Sequence, residues 1–275
     1  MTSPDAPAAD GLRVVVLTST GLGCRAAAAL AGLPGVRELT LLTAPAVRRR
    51  RSLLEKAVEA WRFDGPYGVA RATAQRLRRP RLRATAELLA GHAATHCPGV
   101  RHLHLPDFRA ADAPDALRAL APDLGIVVAT HRLVPALYGV PRLGSINLHL
   151  GHAPEYRGSS PAFWELYDGT PEVGVTIHWV NERLDAGDIL RQERVPIDVA
   201  PAGDPLAYLE HYRAAILLPR GFRVLAETVD ALTRGPVPAR RQDLANSRTR
   251  KRATWRDKEE LRRRVAARRL EGSDR

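Results

Sequence analysis

The sequence predicts an α/β protein, a mostly parallel sheet flanked by helices, on three observations. Residues 13–19, with Val14, Val15, Val16 and Leu17, and residues 124–129 are short continuous apolar runs of the kind that form strands buried on both faces. The first run ends in a glycine turn, Gly21-Leu22-Gly23, that opens an Ala-rich helix stopping before Gly32. Further short runs at 39–43, 101–105, 145–150, 173–180 and 194–197 are separated by turn signals and helical stretches.

Taken in order, residues 1–10 are rich in Ala, Pro and Asp and read as a disordered leader. The glycine turn offers Gly21-x-Gly23-x-x-Ala26, a superficial dinucleotide fingerprint. The strand at 39–43 ends without an acidic residue to grip a ribose, which argues against a nicotinamide site, although free N–H groups at a helix N-terminus can still hold an anion. Residues 48–96 are expected to form a helical, Arg-rich insertion. They hold the run 48–51, the aromatics Trp61, Phe63 and Tyr67, and an Arg-rich stretch at 76–83 broken by Pro80. Leu53, Leu54, Ala57, Val58 and Trp61 fall at helical spacing and predict an amphipathic helix with a cationic side. It either packs on the domain or meets anionic membrane or acceptor groups.

A helix over 113–121 has Pro114 near its start, and a short helix opened by Ser160-Pro161 carries Phe163, Trp164 and Tyr167 as core residues. Asp204 as N-cap and Pro205 in the first turn open a long helix running toward Leu232. Residues 235–238 read as a linker. The last basic segment, with Asp257 and Glu260 at capping-box spacing, is expected to be a mobile helix.

The 275 residues can bury a substantial core. No apolar run is long enough to span a bilayer, and the N-terminus lacks the pattern of a secretory signal, so a cytoplasmic protein is expected. Cys24 and Cys97 fit no metal spacing and read as reduced thiols; no metal is expected. The net charge of +12 suggests an anionic partner, but its distribution matters. Residues 48–84 hold twelve Arg or Lys against three Asp or Glu, and residues 240–275 hold fourteen against six. The remainder is net −5, so the basic excess sits in attachments around a mildly acidic core.

Chemistry concentrates in residues 145–190. Asn147 and His149 stand two apart in a strand and so share a face. A second strand, 173–180, is followed by a turn that brings Asp185 back, so an amide, an imidazole and a carboxylate can meet at a strand end. Attack of an amine on a carbonyl carbon needs a donor for the developing oxyanion and an acceptor for the amine proton, which these groups supply. Taken singly, each has a plainer reading as a turn cap, a core histidine and a loop residue.

Their order resembles the folate-dependent formyltransferases, a family that includes methionyl-tRNA formyltransferase, glycinamide ribonucleotide formyltransferase and sugar N-formyltransferases. The shared pattern is Asn147-x-His149, then Pro154 through Gly158, Gly174-x-Thr176-x-His178, and Leu184-Asp185-x-Gly187, with 36 residues from His149 to Asp185. One departure follows the histidine. The family's Pro-Ser-Leu-Leu-Pro is here Leu150-Gly151-His152-Ala153-Pro154.

The resemblance implies a Rossmann-like formyltransferase fold, with a catalytic domain over 11–200 and a helical basic C-terminal extension over 201–275. It implies 10-formyltetrahydrofolate as co-substrate and Asn147, His149 and Asp185 as catalytic residues. The loop at 130–135 looks like the family's folate loop, so Arg132, Leu133 and Val134, together with Asp185 and Gly187, are expected at the cofactor. Gly21, Gly23, His152, Tyr156 and Arg157 are candidate substrate contacts, the two glycines through a phosphate on the acceptor. The acceptor is expected to be a primary amine on an amino sugar or other small molecule, nucleotide- or lipid-linked. The residues after the catalytic domain look helical and Arg-rich, whereas tRNA-acting relatives append a β-barrel there. Charged initiator tRNA is the alternative, and a non-catalytic basic binding protein the second; peripheral membrane contact through the Arg-rich insertion is a further expectation.

Overall fold

The apolar runs assemble into one seven-stranded sheet. The computed structural model describes residues 11–45, 52–78, 85–245 and 247–273; the leader 1–10, the arginine run 48–51 and residues 79–83 of the Arg-rich stretch lie outside them. In chain order the elements are β1 (Leu12–Thr18), α1 (Gly21–Leu30), β2 (Val36–Thr43), α2 (Leu53–Arg78), α3 (Thr85–His96), β3 (Arg101–His104), α4 (Ala113–Arg118) and β4 (Leu124–Val128). They continue with α5 (Pro135–Tyr138), β5 (Ser145–His149), β6 (Arg157–Gly158), α6 (Phe163–Asp168), β7 (Glu172–Trp179) and β8 (Ile189–Pro196). Helix α7 (Pro205–Tyr212) runs through one π-type stretch into α8 (Leu218–Arg234), and β9 (Thr249–Arg250) and α9 (Trp255–Ser273) follow.

The strand order is β3-β2-β1-β4-β5-β7-β8. The first five are parallel, and β7 and β8 are antiparallel additions. Alternate residues of β1 divide between two cores, as a period of two requires. Leu12, Val14 and Val16 join the core shared with α1 and α8, and Val15 and Leu17 join the one with Phe108, Leu117 and Leu137. From β1 the chain passes outward through β2 and β3, then returns to β4 on the other side. This reversal opens a crevice at the carboxyl ends of β1 and β4, where ligands of open parallel sheets bind.

Thr20 caps α1 by accepting from the Leu22 N–H, and Asp204 caps α7 by accepting from Ala207. Helix α8 buries Phe222, Leu225, Val229 and Leu232 at three- and four-residue spacing, which lays one stripe against the sheet. Cys24 and Cys97 are free thiols within the larger core.

Two expectations are corrected. The last segment, read as mobile, is docked: Leu261 and Val265 of α9 are fully buried in the main core, and the Arg268 guanidinium donates to the carbonyls of Leu166, Tyr167 and Val199. Its apolar positions are few, but four residues apart they form a complete contact. Helix α2 shows the reverse. Leu53, Leu54, Val58 and Trp61 are 56–74% exposed, so the predicted apolar face does not pack on the domain. The helix breaks at Gly65 (φ 67°), where the ring of Trp255 approaches so closely that a Cβ would lie 2.5 Å from it.

Candidate active site

β5 and β7 pair antiparallel with Asn147 opposite His178 and His149 opposite Thr176. The connection after β7 carries Asp185 in the left-handed region (φ 49°), which Asp tolerates better than most residues. Its carboxylate, largely buried, enters the space between the two strands. Oδ1 accepts from Asn147 Nδ2 at 3.4 Å and lies 3.6 Å from His178 Nε2. Oδ2 accepts from the Gly158 N–H at 2.9 Å and lies 3.6 Å from His149 Nδ1. Burial acts to raise the Asp185 pKa, but His149, His178 and the Gly158 N–H hold the carboxyl below its ordinary value.

The hydrogen bonds set both imidazole tautomers. His178 Nδ1–H donates to the Trp179 carbonyl at 2.8 Å, leaving Nε2 to accept from Asn147 Nδ2 at 3.2 Å. The Asn147 amide thus donates to both His178 and Asp185. His149 Nε2–H donates to the Tyr156 carbonyl at 2.7 Å, so Nδ1 is the basic nitrogen beside Asp185. Burial pushes the His149 pKa down, against the upward pull of Asp185. Gly151 lies against this hydrogen bond. A Cβ at 151 would stand 2.5 Å from the Tyr156 carbonyl and 2.6 Å from His149 Nε2, displacing one from the other.

A cavity of ≈ 290 Å³ opens at this point, at the small end of ligand clefts. It is lined by residues 127–133, 180–181 and 183–185 together with Asn147, His149, His178 and apolar residues such as Leu150 and Leu218. Arg132 and Leu133 line it, and the Arg132 guanidinium also donates to the Glu182 carbonyl. His131 lines it too, and both its buried ring nitrogens lack a hydrogen-bond partner.

Several expected contacts lie elsewhere. Val134 and Gly187 are not among the lining residues, and Gly187 is pressed against the Trp179 carbonyl. Gly21 packs on His92 and Gly23 on Thr18, and only Leu22 between them reaches the cavity. His152 Nδ1 pairs with Glu155 at 2.9 Å. The Tyr156 hydroxyl bonds Asp168 and Thr170, while its carbonyl holds His149. Arg157 is buried and donates to the Leu184 carbonyl, Ser247 Oγ and Thr249 Oγ1. Among the described residues no His, Cys, Asp and Glu cluster is arranged to hold a metal ion.

Sequence reasoning left three members of the site unassigned. His178 stood in the quoted pattern and could have been found from its two-residue offset from Thr176 and its strand pairing with Asn147. The Gly158 N–H is a backbone donor with no side-chain signal, and His131 lay inside the loop already singled out.

The class this fold defines is the Rossmann-like formyltransferase fold, as comparison with solved structures shows. Glycinamide ribonucleotide transformylase 1 from Symbiobacterium toebii superposes with a TM-score of 0.54 at 19% identity, over 86% of this chain and 96% of that one. A 4-N formyltransferase from Francisella tularensis gives 0.53 at 14%, over 87% and 76%. HypX from Aquifex aeolicus in complex with tetrahydrofolic acid gives 0.51 at 13%, over 88% and 30%. Residues 88–209, a segment that holds Asn147, His149 and Asp185, match the formyl transferase family model. Methionyl-tRNA formyltransferase from Phocaeicola vulgatus is 38% identical over 123 residues, covering 42% of this chain and 35% of that protein. The one from Geotalea uraniireducens is 38% identical over 125 residues, covering 45% and 38%. The match therefore spans little more than a third of these relatives' length.

Proposed function

We propose that the chain is an N-formyltransferase that moves a formyl group from 10-formyltetrahydrofolate to a primary amine, on an amino sugar or another small acceptor. The observation that carries this is the Asp185 carboxylate lying between Asn147, His149 and His178 in the lining of a cleft. The cleft fits the co-substrate: a flat heteroaromatic ring needs backbone donors and acceptors between apolar side chains. The stretch 127–133 lines the cleft with backbone and with the apolar side chains of Val127, Val128 and Leu133. Arg132, Leu133 and the loop 181–185 would hold it. When bound, it supplies the one-carbon unit as a formyl group.

The residues then have distinct tasks. Asn147 Nδ2, oriented by His178, presents an N–H to the formyl oxygen in place of its long bond to Asp185. His149, neutral at rest, takes the amine proton on Nδ1 and would return it to the departing nitrogen of the co-substrate, with the Tyr156 carbonyl and Asp185 stabilising the imidazolium in between. Asp185 stays ionised throughout.

A small acceptor is supported by how the C-terminal basic residues are used. Arg262 pairs with Asp204, Arg264 with Glu260, and Arg268 and Arg269 are taken up by backbone carbonyls. These four arginines are engaged by partners within the chain, which leaves less of the segment's charge for phosphates. Charged initiator tRNA is the alternative acceptor. The test is release of tetrahydrofolate from 10-formyltetrahydrofolate with amino-sugar nucleotides and with aminoacyl-tRNA in parallel. His149→Ala and Asp185→Ala should each lower turnover roughly 10²–10⁴-fold at unchanged melting temperature. Near-native rates in both variants would remove the assignment.

The exposed row Leu54, Val58 and Trp61, next in sequence to the arginine run 48–51, supports a peripheral contact with an anionic membrane. Co-sedimentation with phosphatidylserine vesicles should fall in Leu54→Ser/Trp61→Ser; equal pelleting of both proteins would rule the contact out.

A further inference from the structure

Asp185 is shaped from its far side by residues more than fifty positions later in the chain. The segment 240–242 runs along the start of β8, where Arg240 and Ile189 exchange both backbone hydrogen bonds at 2.8 Å. This delivers Gln242, which is 6% exposed, behind the Asp185 loop. Its Nε2 donates one hydrogen to the Asp185 carbonyl at 3.1 Å and the other to the Gly187 carbonyl at 2.6 Å. The two carbonyls flank the turn in which Asp185 takes its left-handed conformation. Gln242 Oε1 is buried without a hydrogen-bond partner, so what this side chain contributes is its pair of N–H donors.

A second tie holds the preceding residue. Arg157 donates to the Leu184 carbonyl and is itself fastened to Ser247 and Thr249, just where β9 pairs with β6. Three backbone carbonyls of one loop, at 184, 185 and 187, are thus gripped by side chains. The amide grip comes from the C-terminal segment, and that segment also anchors the arginine. Gln242 is not among the residues lining the cleft, and its amide hydrogen bonds go to the Asp185 and Gly187 carbonyls.

We propose that Gln242 is a positioning residue, whose bidentate grip fixes the turn that holds the Asp185 carboxylate beside His149, Asn147 and His178. The proposal rests on the reading of Asp185 as part of the active site for its consequence on turnover, but not for its geometric content. Removing the amide leaves two buried carbonyls without donors and frees the turn to relax from φ 49° toward an ordinary conformation. The carboxylate then withdraws from His149 Nδ1, and the imidazolium loses its counter-charge.

The test separates the two readings by titrating His149 without any substrate. Histidine-labelled protein is followed by NMR in the native chain, in Gln242→Leu and in Asp185→Asn, with the His149 resonance assigned from His149→Gln. Gln242→Leu should lower the His149 pKa by half or more of the shift that Asp185→Asn produces. It should lower kcat about tenfold with less than a threefold change in the KM of the amine. Gln242→Asn, which keeps the amide but withdraws it by one methylene, should fall in between and replaces the Leu variant if that one does not fold. A His149 pKa unchanged in the Gln242 variants while Asp185→Asn moves it would overturn the proposal. Should the pKa move while turnover stays native, the positioning stands and the catalytic reading of Asp185 fails.

Discussion

His149 has two ring nitrogens with unlike neighbours, and that difference decides its chemistry. The Tyr156 carbonyl claims the Nε2 proton, so a proton acquired during reaction goes to Nδ1. Because burial depresses the pKa below 6.5, the imidazole is neutral through the physiological range and becomes protonated only as pH falls through that lowered value. The acid limb of the kcat/KM profile should therefore lie below pH 6.5, and a limb at or above it would contradict burial as the dominant influence on His149. Asp185→Asn should move the limb lower still, since it removes the main group that pulls the pKa upward. At this scale the sequence was informative about residue types and poor about partners. Asn147, His149 and Asp185 could be named from strand period and order, yet nothing in the sequence says that the Tyr156 carbonyl and the Gly158 N–H complete the set. Backbone groups look alike at every position.

Among the elements, α6 carries a group with no role in the site. Glu165 is 2% exposed, and burial pushes its carboxyl up to about 8, although Arg250 and Arg213 pull it down. A folded pKa above the ordinary 4.5 means that its contribution to stability is complete below pH 4.5 and is lost as pH rises through about 8. Glu165→Gln removes this dependence. Denaturant unfolding should show the variant more stable than the native chain by roughly 2–4 kcal/mol at pH 8, with a much smaller difference at pH 5. Equal differences at the two pH values would place the buried charge elsewhere. The elements themselves were largely legible: β1, α1, β4, β5, β7 and the Asp204-capped α7 appear where apolar period and capping chemistry predicted. What escaped is the pairing of β6 with β9, two residues each and more than ninety apart, because so short a strand has no periodicity to read.

Over the whole molecule, charge and connectivity behave differently from their one-dimensional record. The C-terminal residues look like a basic appendage, but α9 places Leu261 and Val265 in the main core and β9 closes the loop that touches Asp185. No described helix is long and apolar enough to cross a membrane. Local sequence determined the α/β alternation, the positions of the central strands, the shared face of Asn147 and His149 and the family pattern. Each of these follows from residue spacing along a single element. Only the tertiary structure decided that Gln242 and Arg157 grip the Asp185 loop, that α2 keeps its apolar row outward and that arginines of the tail are spent on backbone carbonyls. Such contacts join residues tens of positions apart, and their energy depends on distance and burial in space, which the linear order of residues does not encode.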